Sequence, residues 1–413
     1  MYELPQSVVP FVGRMTDVDS HEMMPAQMWI EEFGEVVRPW VDIVVAASEK
    51  SDGRNNANNM SIVDYPGDVG EINPETVWTA KGATAPAATD MRRRHELMDT
   101  MGVSRQLMFP TGPGLGGSIL YASAEDRHFN MERFGVANGQ GYAFARDLMH
   151  ANNEWAVGVA ALSDRFRPVT PVFGDTPNDL LAMTKSLVDR GIRAVQLCAP
   201  RLPAGVSPAS NDLDPFYAML AEANVALTLH IGGDSLLFRT NDWNKAKAFE
   251  GFKDTPEVGM DPWTLSALHL ASQNFIATMV TGGVFDRHPA LRVGVLEYCA
   301  HWIGPLAQML DLWHDNNQSI HPVSFADGSK GRRLPMRPSE YISRNVRVAP
   351  FDFEPVGKYI EMYGLEDVYC FASDYPHIEG GRKPVDKFAA SLEPLGHRVM
   401  EKFFVTNGGL LLA

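Results

Sequence analysis

Asp19 and His21 stand two apart in "VDSHEMMP", a stretch that begins at Val18. In an extended chain that spacing sends both side chains to the same side. A carboxylate and an imidazole aimed together form half of a mixed nitrogen and oxygen ligand set, the kind that suits Zn²⁺, Mn²⁺ or Fe²⁺. Alone, the trio Asp-Ser-His reads as a surface turn. The rest of the chain offers it partners. His230 ends "VALTLH", Glu297 ends "LRVGVLE" with His301 one turn further on, and Asp374 ends "DVYCFASD" ahead of Tyr375, Pro376 and His377. Taken singly, His230 reads as a hydrogen-bonded core histidine and "SDYPH" as a tight turn. Glu297 is harder to dismiss, because a buried ionised carboxylate is costly without a partner. Apolar runs that repeatedly end in a ligand-type residue point to one shared rim. A divalent ion held there acidifies its bound water, and a nearby carboxylate takes the proton. Asp374 is the choice for that carboxylate.

Such a rim needs a scaffold that delivers strand ends to one place. The segments "GRMTDVDSH", "RQLMFP" (Arg105–Pro110), "WAVGVAAL" (Trp155–Leu162), "IRAVQLCAP" (Ile192–Pro200), "VALTLHIGG" (Val225–Gly233), "LRVGVLE" (Leu291–Glu297), "NVRVAP" (Asn345–Pro350) and "DVYCFASD" (Asp367–Asp374) read as strands. They are nearly continuous apolar runs, as expected of a parallel sheet buried on both faces. Longer helical stretches such as "PNDLLAMTKSLVDRG" separate them. Strand and helix alternating in this way predict a (β/α)8 barrel, a TIM barrel, with its chemistry at the C-terminal ends of the strands. A doubly wound sheet is the runner-up. It wants a glycine-rich first turn after strand one, and "DSHEMMP" is not one. We expect one domain over residues 1–413, with a long polar insertion after strand one at about 31–88 and a further excursion at about 314–340. "TGPGLGGSILYAS" (Thr111–Ser123) reads as a flexible active-site loop, since it lacks the lysine ending of a phosphate-binding loop. Pro262–Gly283 reads as one apolar helix.

Composition narrows the function classes. The chain has 413 residues, 45% of them hydrophobic, and a formal net charge of −15. That charge argues against nucleic acid as a partner and against a polybasic membrane anchor. No run reaches the ~18 apolar residues of a membrane span, and the N-terminus has no signal-peptide character. Three cysteines, Cys198, Cys299 and Cys370, form no CxxC pair. They read as reduced thiols of a cytoplasmic protein. The expected partner is a small-molecule substrate, with homo- or hetero-oligomerisation suggested by the apolar content and long insertions.

At these same residues the sequence resembles the amidohydrolase superfamily. The likeness is to the branch that includes aminocarboxymuconate-semialdehyde decarboxylase and the resorcylate-type decarboxylases. The similar blocks are "DVDSH", "RRRHELMDTMGVSRQLMFPT", "GIRAVQL", "DLDPFYAMLAEANVALTLHIGG", "GGVFDRHPALRVGVLE", "RPSEYISRNVRVAP" and "CFASDYPHIEGG". The resemblance implies metal ligation by Asp19, His21 and His230, and a ligand and proton carrier at Asp374. Two features depart from the family. No lysine ends "IRAVQLC", where bimetallic relatives carry a carboxylated bridge. Glu297 and then His301 replace the usual sixth-strand histidine.

Two enzyme readings follow. The first is a hydrolase or decarboxylase with one divalent metal ion, in which Glu297, His301 and His377 assist Asp374 and Arg201 pairs with a substrate carboxylate. The second is a dinuclear iron or manganese oxygenase, in which Glu297, His301 and His377 help bind a second ion. A non-catalytic scaffold with a structural metal ranks last; it would have no open metal position.

Overall fold

The computed structural model describes residues 2–50, 61–62, 64–123, 134–137, 139–231, 243, 246–249, 262–320 and 334–412. Among the described residues seven strands form one parallel sheet in simple sequence order. They are β1 (Met15–Asp17), β2 (Val103–Met108), β3 (Phe166–Val172), β4 (Ala194–Leu197), β5 (Ala226–His230), β6 (Arg292–Leu296) and β7 (Val346–Val348). Each pairs with the next in parallel register. Burial explains the apolar runs: every residue of β4, β5 and β7 is buried.

The eighth position is filled by an extended segment rather than a regular strand. Val348 of β7 donates to the Val368 carbonyl and accepts from Cys370. On the other side, Val18 donates to Phe371, Asp374 donates to Asp19 and His21 donates to Tyr375. These bonds join the last strand position to the first and close the ring as a TIM barrel. Its interior is packed with Val18, Leu107, Val169, Leu296, Cys370 and Leu411, among others.

Helices cover the outside. The helix Pro177–Asp189 starts with a capping box: Thr176 Oγ1 accepts from Asp179 N–H while the Asp179 side chain accepts from Thr176 N–H, satisfying two orphan donors. The helix Arg94–Met101 stops at Gly102, whose φ of +78° is the left-handed conformation a C-terminal cap requires.

Three expectations need correction. The segment Trp155–Leu162 is not the third strand; its first six residues end the helix Gly141–Ala160. Asn152, Ala156 and Val159 are buried at helical spacing, and a short apolar run does not by itself separate strand from helix. The true third strand, β3, was hidden by Pro168 and Pro171. A strand tolerates them here because its first half pairs with β2 and its second half with β4, so neither ladder runs its full length. The glycine-rich stretch after strand two is not a loop but the helix Pro113–Ser123. Its glycines serve close packing: a Cβ on Gly116 would overlap the Trp40 ring, and one on Gly117 would lie 2.8 Å from Met149. Pro262–Gly283 is two helices, Pro262–Ala267 and Leu270–Thr281.

The insertion after strand one begins with the helices Ala26–Phe33 and Arg38–Lys50. Trp29, Phe33 and Trp40 pack with Leu148 and Met149 in a second apolar cluster at the side of the barrel. The chain then returns to the rim, where Met23 N–H donates to Ala88 and Gly82 N–H to Pro376. Residues 314–320 extend the helix Ile303–Ile320. The parts of the two excursions at 51–60, 63 and 321–333 lie outside the described residues. Among the described residues no helix is long and apolar enough to cross a membrane.

Candidate metal centre

Four strand positions bring ligand-type side chains to one point. Asp19, His21, His230, Glu297, Asp374 and His377 are all buried, none exposing more than 6% of its surface. Their facing atoms form a chain of near-equal steps. His21 Nε2 lies 3.3 Å from Asp374 Oδ1 and 3.4 Å from Asp19 Oδ1; His230 Nε2 lies 3.4 Å from Asp19 Oδ1 and 3.2 Å from Glu297 Oε2. Yet Asp19 Oδ1, His21 Nε2, His230 Nε2 and Asp374 Oδ2 make no hydrogen bond among the described residues. Buried polar atoms left this way cost about 1–3 kcal/mol each, so their gathering at one point calls for a common partner. A cation fits. Two ligand atoms about 2.1 Å from one ion and about 104° apart lie about 3.3 Å from each other. A cavity of about 20 Å³ between Asp19, Glu297, Ala349, Phe351 and Asp374 has room for an ion or a water.

The fold fixes each group locally. Two backbone turns aim carboxylates inward: Glu297 and Asp374 hold φ of +60° and +48°, a conformation non-glycine residues rarely adopt and one that clusters at functional sites. The imidazoles are held by packing. His21 stacks on His377 at 3.8 Å between ring centroids, and His230 stacks on Phe109 at 4.2 Å. His377 Nδ1 is 3.1 Å from Asp374 Oδ1, and its Nε2 is 3.3 Å from Thr111 Oγ1. Glu22 in turn pins Thr111, accepting from its N–H at 2.9 Å.

Beneath the ligands lies a buried polar relay. Asp17 accepts from Ser373 N–H at 2.8 Å, from Ser373 Oγ at 2.6 Å and from Gln106 Nε2 at 2.7 Å. Gln106 Oε1 accepts from the buried Arg94 at 2.8 Å. This relay ties the strand bearing Asp19 to the segment bearing Asp374.

Electrostatics point the same way. Burial pushes the His21 imidazole down, but Asp19 and Asp374 beside it outweigh burial and raise it to about 9. Burial pushes the Asp374 carboxyl up, but His377 and His21 outweigh that and hold it well below the usual carboxylate range. Both shifts have one origin: the pocket concentrates carboxylates and draws positive charge.

Not every sequence candidate joins this group. The His301 side chain is 47% exposed, with its Nδ1 3.9 Å from Glu354 and its ring against His269. It falls in with Cys299 and Glu354 instead. Glu354 is occupied as a backbone anchor, accepting from Ala300, His301 and Phe351 N–H. The set Glu297, His301 and His377 expected to hold a second ion is therefore split. The turn after Glu297 is the reason, because Cys299 also takes a positive φ and carries the chain away from the rim. Arg201 lies over the Tyr142 and Tyr121 rings, 4.6 and 5.4 Å from their centroids. Sequence reasoning missed Asp17, Glu22 and Glu379. Asp17 and Glu379 carried a readable signal, since each repeats the two-residue spacing, Asp17 to Asp19 and His377 to Glu379. Glu22, buried by the turn, carried none.

Comparisons with known proteins agree with this architecture. A family model described as amidohydrolase matches residues 108–408. No curated protein matches the sequence. Among solved structures, an amidohydrolase from Mycobacterium avium subsp. paratuberculosis K-10 superposes with a TM-score of 0.61 at 19% identity, covering 97% of this chain and 99% of that one. The 5-carboxyvanillate decarboxylase of Sphingomonas paucimobilis gives 0.54 at 16% identity, covering 96% and 97%. A dihydroxybenzoic acid decarboxylase from Polaromonas sp. JS666, with bound manganese and the inhibitor 2-nitroresorcinol, gives 0.51 at 13% identity, covering 97% and 96%. None of these findings favours the oxygenase reading. With a family model spanning most of its length and a closed parallel barrel beneath it, the chain belongs to the amidohydrolase family.

Proposed function

We propose that the protein is a metal-dependent hydrolase or decarboxylase acting on a small carboxylated or carbonyl-bearing organic molecule. The observation that carries this reading is the convergence of Asp19, His21, His230 and Asp374 with buried, unsatisfied ligand atoms at the C-terminal end of the barrel. These four would hold the ion, of which zinc, manganese and iron all suit the donor set. When bound, the ion polarises a substrate oxygen and acidifies water.

The chain's own groups do the rest. Asp374 rests ionised and takes up and releases the proton during turnover. In hydrolysis its carboxylate takes the proton of the attacking water and passes it to the leaving group. In decarboxylation Asp374 must first take up a proton, from water or a substrate hydroxyl, and then deliver it to the carbon that loses carbon dioxide. His377, hydrogen-bonded to Asp374, orients that carboxylate. Glu297 lines the same cavity, and its carboxylate would assist by holding the water or the substrate there.

The test is elemental analysis of protein purified without added metal, followed by reconstitution with Mn²⁺ or Zn²⁺. The reconstituted enzyme is then screened against hydroxyaromatic carboxylates for carbon dioxide release, and against amides, esters and lactones for hydrolysis. We expect about one or more ions per chain, and Asp374→Asn to lower kcat by a factor of about 10² or more. A protein that binds no ion, or whose turnover survives Asp374→Asn, overturns the proposal.

A further inference from the structure

At the opposite end of the barrel from the metal centre, where the strands begin, arginines gather. Arg105 lies in β2, Arg167 in β3 and Arg292 at the start of β6, and Arg193 immediately precedes β4. Strand pairing sets Arg193 and Arg292 level with each other: Ala226 N–H donates to the Arg193 carbonyl, and Ala226 is in register with Arg292. Arg167 and Arg193 line a cavity of about 420 Å³ together with Ser163, Asp164, Phe166 and Gly191. Asp164 is the one carboxylate among the described residues that line it.

The charge balance here runs against that of the chain. Acidic side chains number 51 against 36 lysines and arginines, and nearby arginines draw on the excess: Arg165 pairs with Asp99 and Arg190 with Glu154. Arg105, Arg193 and Arg292 form no ion pair with a carboxylate among the described residues. Arg105 bonds through Nη1 to the Leu412 carbonyl, and Arg193 through Nη1 to the Val188 and Ile192 carbonyls. Among the described residues the Nε and Nη2 groups of both make no hydrogen bond. That edge of a guanidinium is the planar fork that matches two oxygens of an oxyanion. Burial, and then Arg105, Arg193 and Arg292 around it, hold the Arg167 guanidinium below its usual range, while Asp164 pulls the other way. Like charges this close repel, and a multivalent anion between them turns that repulsion into attraction.

We infer that these arginines form a binding site for a phosphate-class dianion at the N-terminal end of the barrel, with Arg167 and Arg193 at the cavity and Arg105 and Arg292 adding to its positive field. A tetrahedral dianion suits the site better than a monocarboxylate, because it sets two charges and up to four oxygens against several guanidinium forks. The cavity is also of a size that holds a small molecule, so free phosphate and the phosphate ester of a small metabolite share the chemistry it recognises. The inference does not depend on the metal centre or on the reaction proposed for it.

The test is equilibrium dialysis of the full-length protein, as purified, against radiolabelled inorganic phosphate in about 0.15 M sodium chloride, which screens weak surface attraction. Arg193→Gln, Arg292→Gln and His21→Ala are treated alongside, with circular dichroism as the check on folding. Arg193→Gln frees two backbone carbonyls. Arg292→Gln breaks no hydrogen bond among the described residues, so it reads the site even where Arg193→Gln loses stability. The inference expects about one phosphate per chain with a dissociation constant below about 1 mM. Binding should weaken about tenfold or more in Arg193→Gln and about threefold in Arg292→Gln, and stay unchanged in His21→Ala. No binding to the unaltered protein, or equal binding to both arginine variants, overturns the inference. So does binding that is lost in His21→Ala and kept in the arginine variants, because the phosphate then sits at the metal centre. Competition with unlabelled phenyl phosphate separates the two sources: displacement marks a phosphate ester and persistence of the label marks free phosphate, and both support the inference.

Discussion

Ser373 is the most informative single position outside the ligands. Its hydroxyl donates to Asp17 at 2.6 Å and accepts from Tyr375 N–H at 3.2 Å, so it fastens the ligand-bearing segment to β1. Ser373→Ala removes both bonds. A hydrogen bond to a charged acceptor is worth about 1.5–3 kcal/mol, and the loss of an acceptor for a buried N–H costs about 1 kcal/mol or more. The expected loss is about 3 kcal/mol, readable as a lower urea midpoint. The consequence for the site is separate. Asp19 and Asp374 lie two residues and one residue from the broken link, and loosening such support typically costs 10–100-fold in metal affinity. Competition with a chromophoric chelator measures that directly, at a temperature where the variant is still folded. If Ser373→Ala unfolds at the same urea concentration and binds Mn²⁺ with unchanged affinity, the relay does not position the site and the reasoning fails.

Other expectations follow from the same geometry. His21→Ala and His230→Ala should each lose most of the bound metal while keeping the circular dichroism of the parent; full metal occupancy in both would refute the assigned ligands. Gly116→Ala should destabilise by about 1–3 kcal/mol through overpacking against Trp40, measured by urea denaturation. The pair His269 and His301 should make the protein acid-sensitive. Burial, and then His301, pushes His269 from 6.5 down to about 4, and burial lowers His301 as well. Between those two values the unfolded chain binds protons that the folded chain does not, so stability should fall as pH drops from about 7 to about 4. His269→Gln should shrink the difference between urea midpoints at pH 7 and pH 5, and an unchanged difference would count against it.

The sequence made the barrel legible because β5 and β6 are nearly continuous apolar runs with a ligand-type residue at or just beyond the end. It also made Asp19, His21, His230, Glu297 and Asp374 legible, since strand ends of one polarity meet at one rim. It failed where a local rule was overruled by packing. Prolines concealed β3, glycines disguised a helix as a loop, and the turn at Glu297 carried His301 away from its expected place. Glu22 and Glu354 were invisible for a different reason: their partners are backbone N–H groups, which leave no trace in residue identity.

The ring of the barrel is closed by a seam between residues 18–21 and 371–375, and the proposed metal ligands sit on both sides of it. During synthesis, Asp19 and His21 emerge from the ribosome long before Asp374 exists. The nascent protein therefore cannot bring the four proposed ligands together until Asp374 has been made. An ion held by them would tie residues 19–21 to residue 374, so loading with metal would fasten the seam that closes the barrel.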